Sequence, residues 1–448
     1  MGEYTRVVSS AHRFSTREPE GRPGLRAWGR AFGVASLVHL TLPDVQAPGW
    51  LIPALMEGVG ALWLLHRPAA GAFALCAVGT ALPLLFLRDV LTQSMYLTWA
   101  ASLGFVGALG KGGDVRGAVR LLTASAYAVA ALHKLNTDFF DPGVSCANHA
   151  VAQVSARWPW AEPLAALDGA LPFLVLGLEL ALAWLVLRGS PWMWLWGLVF
   201  HLPLTVTLAP AFGPVMFSGY VAATRTRDAA IARDIWRRHK GRLCLGGLLL
   251  VATDGLSIGE LEGPVLIAKL FVAGAIAAGA LSLVGRPARA AAPRSSLGAK
   301  LVAVGWLLHG LTPYLGLQYQ HTGAMLSNLR VDVACHNSVV FPSSLMATDP
   351  YLHIDSARIG RGQRAARERV LEASLWNIAA LHTMQRNWCV PELRPIQLKG
   401  SWRGRAFEIA DLCDDDWLDA LPGARWLPAG FQRFQKNLGQ ACHAACIH

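Results

Sequence analysis

The chain has 448 residues, of which 53% are hydrophobic and only 15% are charged, and its mean hydropathy is +0.36. A soluble globular chain usually carries about a quarter of charged residues, whereas apolar runs of about 18 residues or more are typical of membrane spans. The net charge of +11 lies mostly in short basic loops, which indicates membrane topology and not nucleic-acid binding. The composition therefore excludes an ordinary soluble enzyme and predicts a polytopic membrane protein.

Residues 1–30 form a basic segment that we expect on the cytoplasmic side. Residues 31–320 follow as a transmembrane helical domain, and the loop 224–242 within it holds seven arginines and lysines. With the N-terminus inside, the basic loops between spans also fall inside, as expected for cytoplasmic loops. We therefore predict spans near residues 31–46, 50–66, 69–87, 91–110, 117–135, 168–187, 191–209, 212–223, 243–258, 264–284 and 299–318.

Residues 321–448 form a small α+β domain that this topology places outside the cell. A helical stripe predicts a helix over 361–384, and residues 394–412 predict two short strands around Gly400–Gly404. The fold class is thus mainly α, a transmembrane helical bundle with an extramembrane α+β domain.

Six of the eight cysteines fall outside on this topology, where disulfides persist. We expect at least one disulfide among them, although six free thiols are the alternative. The ending CHAACIH (442–448) has spacing that zinc could use, but there is no second ligand cluster, so we expect no metal site. The six are Cys146, Cys335, Cys389, Cys413, Cys442 and Cys446.

Ionisable residues inside the predicted spans need a partner, a cavity or a function. In AYAVAALHKL (126–135), Tyr127, Ala130, Ala131 and Lys134 share one helical face, and the two alanines leave room beside the amine. Because burial disfavours the charged form of an amine, Lys134 is a candidate general base. Alternatively, its long side chain reaches from the end of the span to the membrane surface.

Two further polar residues lie within later spans. Glu179 lies in the middle of 168–187 and can pair with a cation such as Lys134, as a structural ion pair or a functional one. His201 precedes Thr205 by four residues and shares its face, either as a packing residue or as a catalyst. The chain has no Walker loop, dinucleotide fingerprint, HExxH or GxSxG, so it lacks the usual signatures of nucleotide-driven transport and hydride transfer.

Three segments together carry a family resemblance: YAVAALHKLNTDFFDPGVS (127–145), FHLPLTVTLAPAFGPVMFSGYV (200–221) and HTGAMLSNLRVDVACHNSVVFP (321–342). In order and spacing they resemble segments of the vitamin K-dependent γ-carboxylase family and its bacterial relatives, the horizontally transferred transmembrane (HTTM) domain proteins. The first is similar to the family's aromatic–small–small–x–Lys–Lys–Leu–Asp segment, and the likeness covers residues from about 30 to 345.

The resemblance implies an integral enzyme of a bacterial inner membrane that uses reduced vitamin K or menaquinol with CO2 and O2. In the carboxylases the second lysine of the pair deprotonates the hydroquinone to drive epoxidation and glutamate carboxylation, and that position matches Lys134. We expect Glu179 and His201 to support it. The implied partners are membrane lipids, the quinol and a secreted Glu-containing peptide or protein. The residues that we expect beside the quinol are Tyr96, Tyr127, His133 and Thr205.

The chain also departs from the family pattern. The first lysine of the pair is His133 here, the following Asp is Asn136, and the Asn-His-Ser-Tyr segment of animal carboxylases reads QSMY (93–96). A non-catalytic protein of the same fold, acting as a binding, immunity or assembly factor, is therefore the alternative function. A transporter is a third, although paired repeats and broken helices are not evident.

Overall fold

The chain folds into a helical region followed by a small domain that contains a β-sheet. The computed structural model describes residues 23–40, 50–86, 92–110, 115–157, 159–207, 212–224, 234, 237–238, 295–319, 322–324, 326–346, 349–360, 364–421, 438–442 and 446.

The helical region is built from apolar runs rich in Ala, Leu and Gly. Tight helix packing depends on small residues: a Cβ added at Gly60 would lie 2.9 Å from the backbone N of Cys76, and one at Gly79 would lie 2.7 Å from the N of Glu57. Small residues at helix contacts are common in membrane bundles. The helices are α1 (Pro23–Leu40), α2 (Leu51–His66), α3 (Ala70–Phe86), α4 (Thr92–Leu109), α5 (Arg116–His133), α6 (Thr137–Phe140), α7 (Cys146–Arg157), α8 (Leu171–Arg188), α9 (Trp192–Thr207), α10 (Phe212–Ala223) and α11 (Leu297–His309).

Nine of these helices, all except α6 and α7, overlap nine of the eleven predicted spans. The predicted spans 243–258 and 264–284 lie outside the described residues. The helix α1 begins at Pro23, inside the segment predicted as a basic tail. Among the described residues, one continuous helical stretch, Ala161–Arg188, is long and apolar enough to cross a membrane, with a mean hydropathy of 2.3. The mainly helical fold is thus confirmed, whereas the polytopic bundle stays a prediction.

The C-terminal domain contains a five-stranded antiparallel sheet. Its strands are β1 (Leu352–Ile359), β2 (Ser374–Trp376), β3 (Ile396–Trp402), β4 (Arg405–Ile409) and β5 (Leu438–Gly439). They lie in the order β4-β3-β1-β2-β5. The predicted strand pair around Gly400–Gly404 is confirmed as a hairpin, and its turn residues Arg403 and Gly404 both have positive φ, as two-residue hairpin loops require.

The single helix predicted over 361–384 is wrong in part. The helix α12 (Arg364–Ala373) stops at β2, and Asn377 then starts α13 (Ile378–Trp388) by accepting a hydrogen bond from the N–H of Ala380 at 3.0 Å. Leu375 lies on the predicted helical stripe, yet it pairs with His353 and Leu438 in the sheet. Tertiary strand pairing therefore overrides the local helical periodicity.

All six predicted outside cysteines lie in disulfides, which confirms that prediction and excludes six free thiols. Cys389 pairs with Cys413 within the C-terminal domain. The other two bridges reach across the fold and hold residues near the end of the chain against earlier segments. They are Cys146–Cys446 and Cys335–Cys442.

Candidate functional site

The end of α5 is fixed by one asparagine. Asn136 donates hydrogen bonds to the carbonyl oxygens of His133 at 2.8 Å and Ser327 at 2.6 Å, and its own side-chain oxygen accepts from the N–H of Phe139 at 2.8 Å. These bonds end one helix and start the next within three residues. They hold Lys134, the residue that caps α5, at a defined place in the interior.

Lys134 and Glu179 form a buried ion pair. The Lys134 Nζ donates to Glu179 Oε1 at 2.9 Å, and the two side chains are only 3% and 4% exposed. The amine thus turns inward, and does not reach for a membrane surface. The second carboxylate oxygen, Glu179 Oε2, is buried and has no hydrogen-bond partner among the described residues. Such an unsatisfied buried acceptor is costly, so a ligand that donates a proton or a hydrogen bond there is stabilised.

A cavity of about 240 Å³ lies beside this pair. It is larger than the engineered cavity of about 150 Å³ that admits benzene, so an aromatic ring system can enter. Its wall is apolar except at a few side chains, which is usual for sites that bind small organic ligands. The polar side chains of the wall are Gln93, Tyr96, Lys134 and Glu179.

Each of the helices α4 to α11 contributes at least one residue to the wall of the cavity. On α5, Ala126, Ala130 and Lys134 line it. Tyr127 and Ala131, which we predicted on the same face, are buried but are not part of the wall. The face that meets the cavity is therefore turned by about one residue from the predicted one, and the small side chain that leaves room for a ligand is Ala130.

The predicted residues divide between the cavity and a neighbouring cluster. Tyr96 lines the cavity and bonds its OH to Thr123 Oγ1 at 3.2 Å. Tyr127 instead bonds His201 Nε2 at 2.5 Å and also the OH of Tyr220. Tyr127 precedes Lys134 by seven helical residues, about 10 Å along the axis. His201 does not line the cavity, although its neighbour Phe200 does. Its contact on α5 is with Tyr127 and not with Lys134.

The two remaining predicted residues lie elsewhere. His133 Nδ1 is 3.0 Å from the OH of Tyr314, so this histidine joins α5 to the segment after α11. The side chain of Thr205 lies outside the described residues. Gln93 and Phe139 are wall residues that sequence reasoning did not select; the ring of Phe139 lies 5.8 Å from Lys134 Nζ. The only sequence signal for Gln93 was its place three residues before Tyr96.

A second polar cluster, also not predicted, lies within the first four helices. We call His39, Glu57 and Ser94 the His39 cluster. His39 Nδ1 lies 3.1 Å from both carboxylate oxygens of Glu57, and Nε2 lies 2.9 Å from Ser94 Oγ. All three residues are fully buried, and none of them lines the 240 Å³ cavity.

The chemistry that this site permits is proton transfer in an apolar enclosure. A lysine that shares a hydrogen bond with a carboxylate can pass a proton to it and so become a neutral amine, which is the form that acts as a base. In the described part of the chain no three His, Cys, Asp or Glu residues are grouped so that they could hold a metal ion. The described residues of the site thus offer one amine and one carboxylate that share a hydrogen bond in an apolar wall.

Comparison of the chain with protein-family models, with curated proteins and with solved structures finds no match.

Proposed function

We propose that this protein is a membrane-embedded, quinol-dependent enzyme of the vitamin K-dependent γ-carboxylase type, with Lys134 as its base. The observation that carries the proposal is the buried pair of Lys134 and Glu179, 2.9 Å apart, in the wall of an apolar cavity. An amine there is costly, and proton abstraction from a lipid-soluble hydroquinone gives it a purpose. The three sequence segments that resemble the HTTM family support the same assignment.

The placement in a membrane is supported by the outer surface of the helices. Large apolar side chains are exposed along α2, α8 and α9, far more than a soluble protein usually presents together. With the N-terminus in the cytoplasm, α1 to α5 would cross the membrane alternately outward and inward. The helix α5 would then end on the outer side. The most exposed of these side chains include Leu51, Ile52, Leu55, Leu62, Phe173, Trp184 and Val199.

In this mechanism the chain's own residues move one proton and exclude water. The proton of Lys134 passes to Glu179 across their hydrogen bond, and the neutral amine then takes the hydroxyl proton of the quinol. When bound, the quinol supplies with O2 the strong base that removes a γ-proton from glutamate, to which CO2 adds. Apolar walls around the amine keep water away from that base. The second carboxylate oxygen of Glu179, which has no hydrogen-bond partner among the described residues, is a suitable acceptor for a quinol hydroxyl.

The orientation that places the C-terminal domain outside is supported by its disulfides, since such bonds persist in oxidising compartments. After mild reduction of intact cells, a membrane-impermeant thiol reagent should label Cys413. Labelling that requires permeabilised cells would reverse the topology.

The test of the reaction uses purified protein in lipid with reduced vitamin K and oxygen, with the epoxide measured by chromatography. Lys134→Arg keeps a cation of similar size, but arginine stays protonated. It should lose epoxidation by about two orders of magnitude or more, the scale of a lost general base. The matched control is Lys300→Arg at an exposed lysine of α11, which should keep the activity.

Two results would count against the proposal. Epoxidation that survives Lys134→Arg in folded protein would defeat the role of this residue as a base. If the unaltered protein forms no epoxide from vitamin K or menaquinol, the non-catalytic alternative, a binding, immunity or assembly factor of the same fold, gains support. Incorporation of labelled CO2 into a Glu-containing peptide tests the carboxylation step separately.

A further inference from the structure

A second pocket lies at the opposite end of the helices from Lys134. It has a volume of about 360 Å³ and is formed where the start of α1 meets the connection between α2 and α3. Four of the side chains that line it are basic hydrogen-bond donors, and all four are exposed. They are Arg26, Arg30, His66 and Arg67.

The pocket has a fixed floor, because the α2–α3 connection packs closely against α1. A Cβ added at Gly29 would lie 2.7 Å from Cβ of Pro68, so only glycine permits this approach. Next to it, Trp28 stacks on Phe73 with ring centroids 5.4 Å apart. The backbone that carries His66 and Arg67 is therefore held beside α1, so the basic groups converge before any ligand arrives.

The arrangement of charge favours an anion. Arg26 and Arg30 are four residues apart on α1 and so extend from the same face, where like charges repel. Arg30 Nη2 lies 3.5 Å from the carbonyl oxygen of His66, which brings it to the other side of the pocket. Among the described residues, no acidic side chain lines the pocket. Arginine forks match phosphate oxygens in geometry as well as in charge.

The surroundings of the pocket distinguish a lipid from a soluble phosphate. Leu62 and Trp63, one turn before His66 on α2, are 59% and 43% exposed and continue the apolar exterior of this helix. An acyl chain can therefore lie along α2 while its headgroup occupies the pocket. On the proposed topology this end faces the cytoplasm, where the leaflet carries anionic lipids and where basic pockets between helices bind their headgroups.

We infer that this pocket binds the phosphate headgroup of an anionic phospholipid of the cytoplasmic leaflet. The inference rests on the proposed membrane placement, but it does not depend on the chemistry of Lys134. Basic residues at this membrane side also set topology, but topology alone does not require that three arginines from two elements meet over a packed floor.

The experiment purifies the full chain in mild detergent and measures the phospholipids that stay bound by mass spectrometry. The protein is then placed in phosphatidylcholine nanodiscs, and phosphatidylglycerol is titrated in while thermal stability is followed. The variant Arg26→Gln/Arg30→Gln/Arg67→Gln removes the three charges but keeps a polar side chain at each position. The matched control is Arg188→Gln, an exposed arginine in the last turn of α8 that stacks 4.3 Å from the ring of Trp184.

We expect the unaltered protein and Arg188→Gln to retain phosphatidylglycerol in preference to phosphatidylcholine. The triple variant should bind it roughly a hundredfold more weakly, since each basic residue near an anionic surface contributes about a fivefold preference. If the triple variant does not fold, Arg67→Gln alone should weaken binding about fivefold. Equal retention by the unaltered protein and a folded variant would overturn the inference.

Two further measurements distinguish a bound lipid from a soluble phosphate, and lipid binding from catalysis. Inorganic phosphate and glycerol phosphate at millimolar concentration should not displace the lipid; if they stabilise the protein equally well without any lipid, the ligand is a soluble phosphate and the inference is wrong. Epoxidation measured in the same phosphatidylcholine nanodiscs should be equal in the triple variant and the unaltered protein. A failure of lipid binding with intact epoxidation, or the reverse, therefore shows which proposal has failed.

Discussion

Among the described helices, the buried carboxylates of Glu57 and Glu179 each lie against a cationic or potentially cationic side chain, and the surroundings of the two differ. In the His39 cluster both oxygens of Glu57 have a partner, and His39 joins the carboxylate on one side to Ser94 on the other. In the other pair, Glu179 uses one oxygen for Lys134 and leaves the second without a hydrogen-bond partner among the described residues.

The space beside the two carboxylates differs in the same way. The packing around Glu57 is so close that a Cβ at Gly79 would meet its backbone N at 2.7 Å, whereas Glu179 borders a cavity of about 240 Å³. A complete hydrogen-bond network in tight packing aligns helices. An incomplete network beside a cavity leaves a polar atom and a volume that suit a ligand. The difference teaches that a buried charge indicates a site only when space and an unused polar atom accompany it.

The strongest test of this comparison is the loss of each carboxylate. Glu57→Ala should cost about 3–5 kcal/mol in the free energy of unfolding, because it leaves a buried partner without compensation. Glu179→Ala should cost about 1–3 kcal/mol, since water can enter the cavity and solvate Lys134. Both values come from denaturant unfolding in the same micelles. Equal costs would show that the cavity does not relieve the unpaired lysine.

Activity should show the opposite order. Glu179→Gln removes the group that accepts the proton of Lys134 and should lower epoxidation by roughly ten- to a hundredfold, the scale of a lost hydrogen bond to a charged group. Glu57→Gln, the same change in the His39 cluster, should leave the rate per folded molecule within about twofold. A large loss of activity in Glu57→Gln that is not explained by lost protein would place the His39 cluster in the reaction.

A larger side chain should also affect the two regions differently, but the effect should be smaller than that of removing a carboxylate. Ala35 is fully buried one helical turn before His39. Ala35→Leu should destabilise the protein by about 1–3 kcal/mol through overpacking. Ala130→Leu adds the same three carbons on the cavity wall. It should change stability by less than about 0.5 kcal/mol but weaken quinol binding. The readouts are thermal unfolding and the quinol concentration that gives half-maximal rate; a large stability loss in Ala130→Leu would mean that the cavity is closed in solution.

A small effect is also expected at a third pair, in the C-terminal domain. His353 and Asp349 form an ion pair in which the ring nitrogen lies 3.6 Å from the carboxylate oxygen. Asp349 raises the pKa of His353 above 6.5, although partial burial opposes this. Its stabilisation is therefore complete below the unfolded pKa and is lost as pH rises through the higher folded pKa.

Because His353 is about one-third exposed, this contribution should stay within about 1 kcal/mol. The melting temperature of the unaltered protein, compared with His353→Gln between pH 5 and pH 9, measures it. The advantage over the variant should shrink as the pH increases. An advantage that grows toward high pH would contradict the sign of this argument.

The sequence predicted the Lys134–Glu179 pair because a charge stands out in an apolar run and requires a partner nearby. It did not predict the His39 cluster, since His39 and Ser94 each look ordinary alone and are brought together by helices 55 residues apart in sequence. The cavity could not be predicted from the sequence either, because a cavity depends on how several helices pack and has no local sequence pattern.

In the C-terminal domain, too, some elements could be predicted from the sequence and others could not. Gly404 marks a tight turn in any context, so the hairpin of β3 and β4 was predictable. The strand β2 was not, because its residues continue a helical stripe until β1 and β5 pair with them. The side of the membrane suggested that the cysteines form disulfides, but six cysteines allow 15 pairings, and only the folded chain selects among them.

The bridge between Cys146 and Cys446 also sets an order of events during biosynthesis. Cys146 begins α7 and borders the Lys134 cavity, and its partner lies 300 residues later. At roughly 5–20 residues per second, a ribosome needs about 15–60 s to make the intervening chain. Until then the first residue of α7 carries a reduced thiol beside an unsealed cavity. Enzymes that oxidise thiols would therefore form this bridge only after residue 446 has been made, and the newly made protein would remain immature until they had done so.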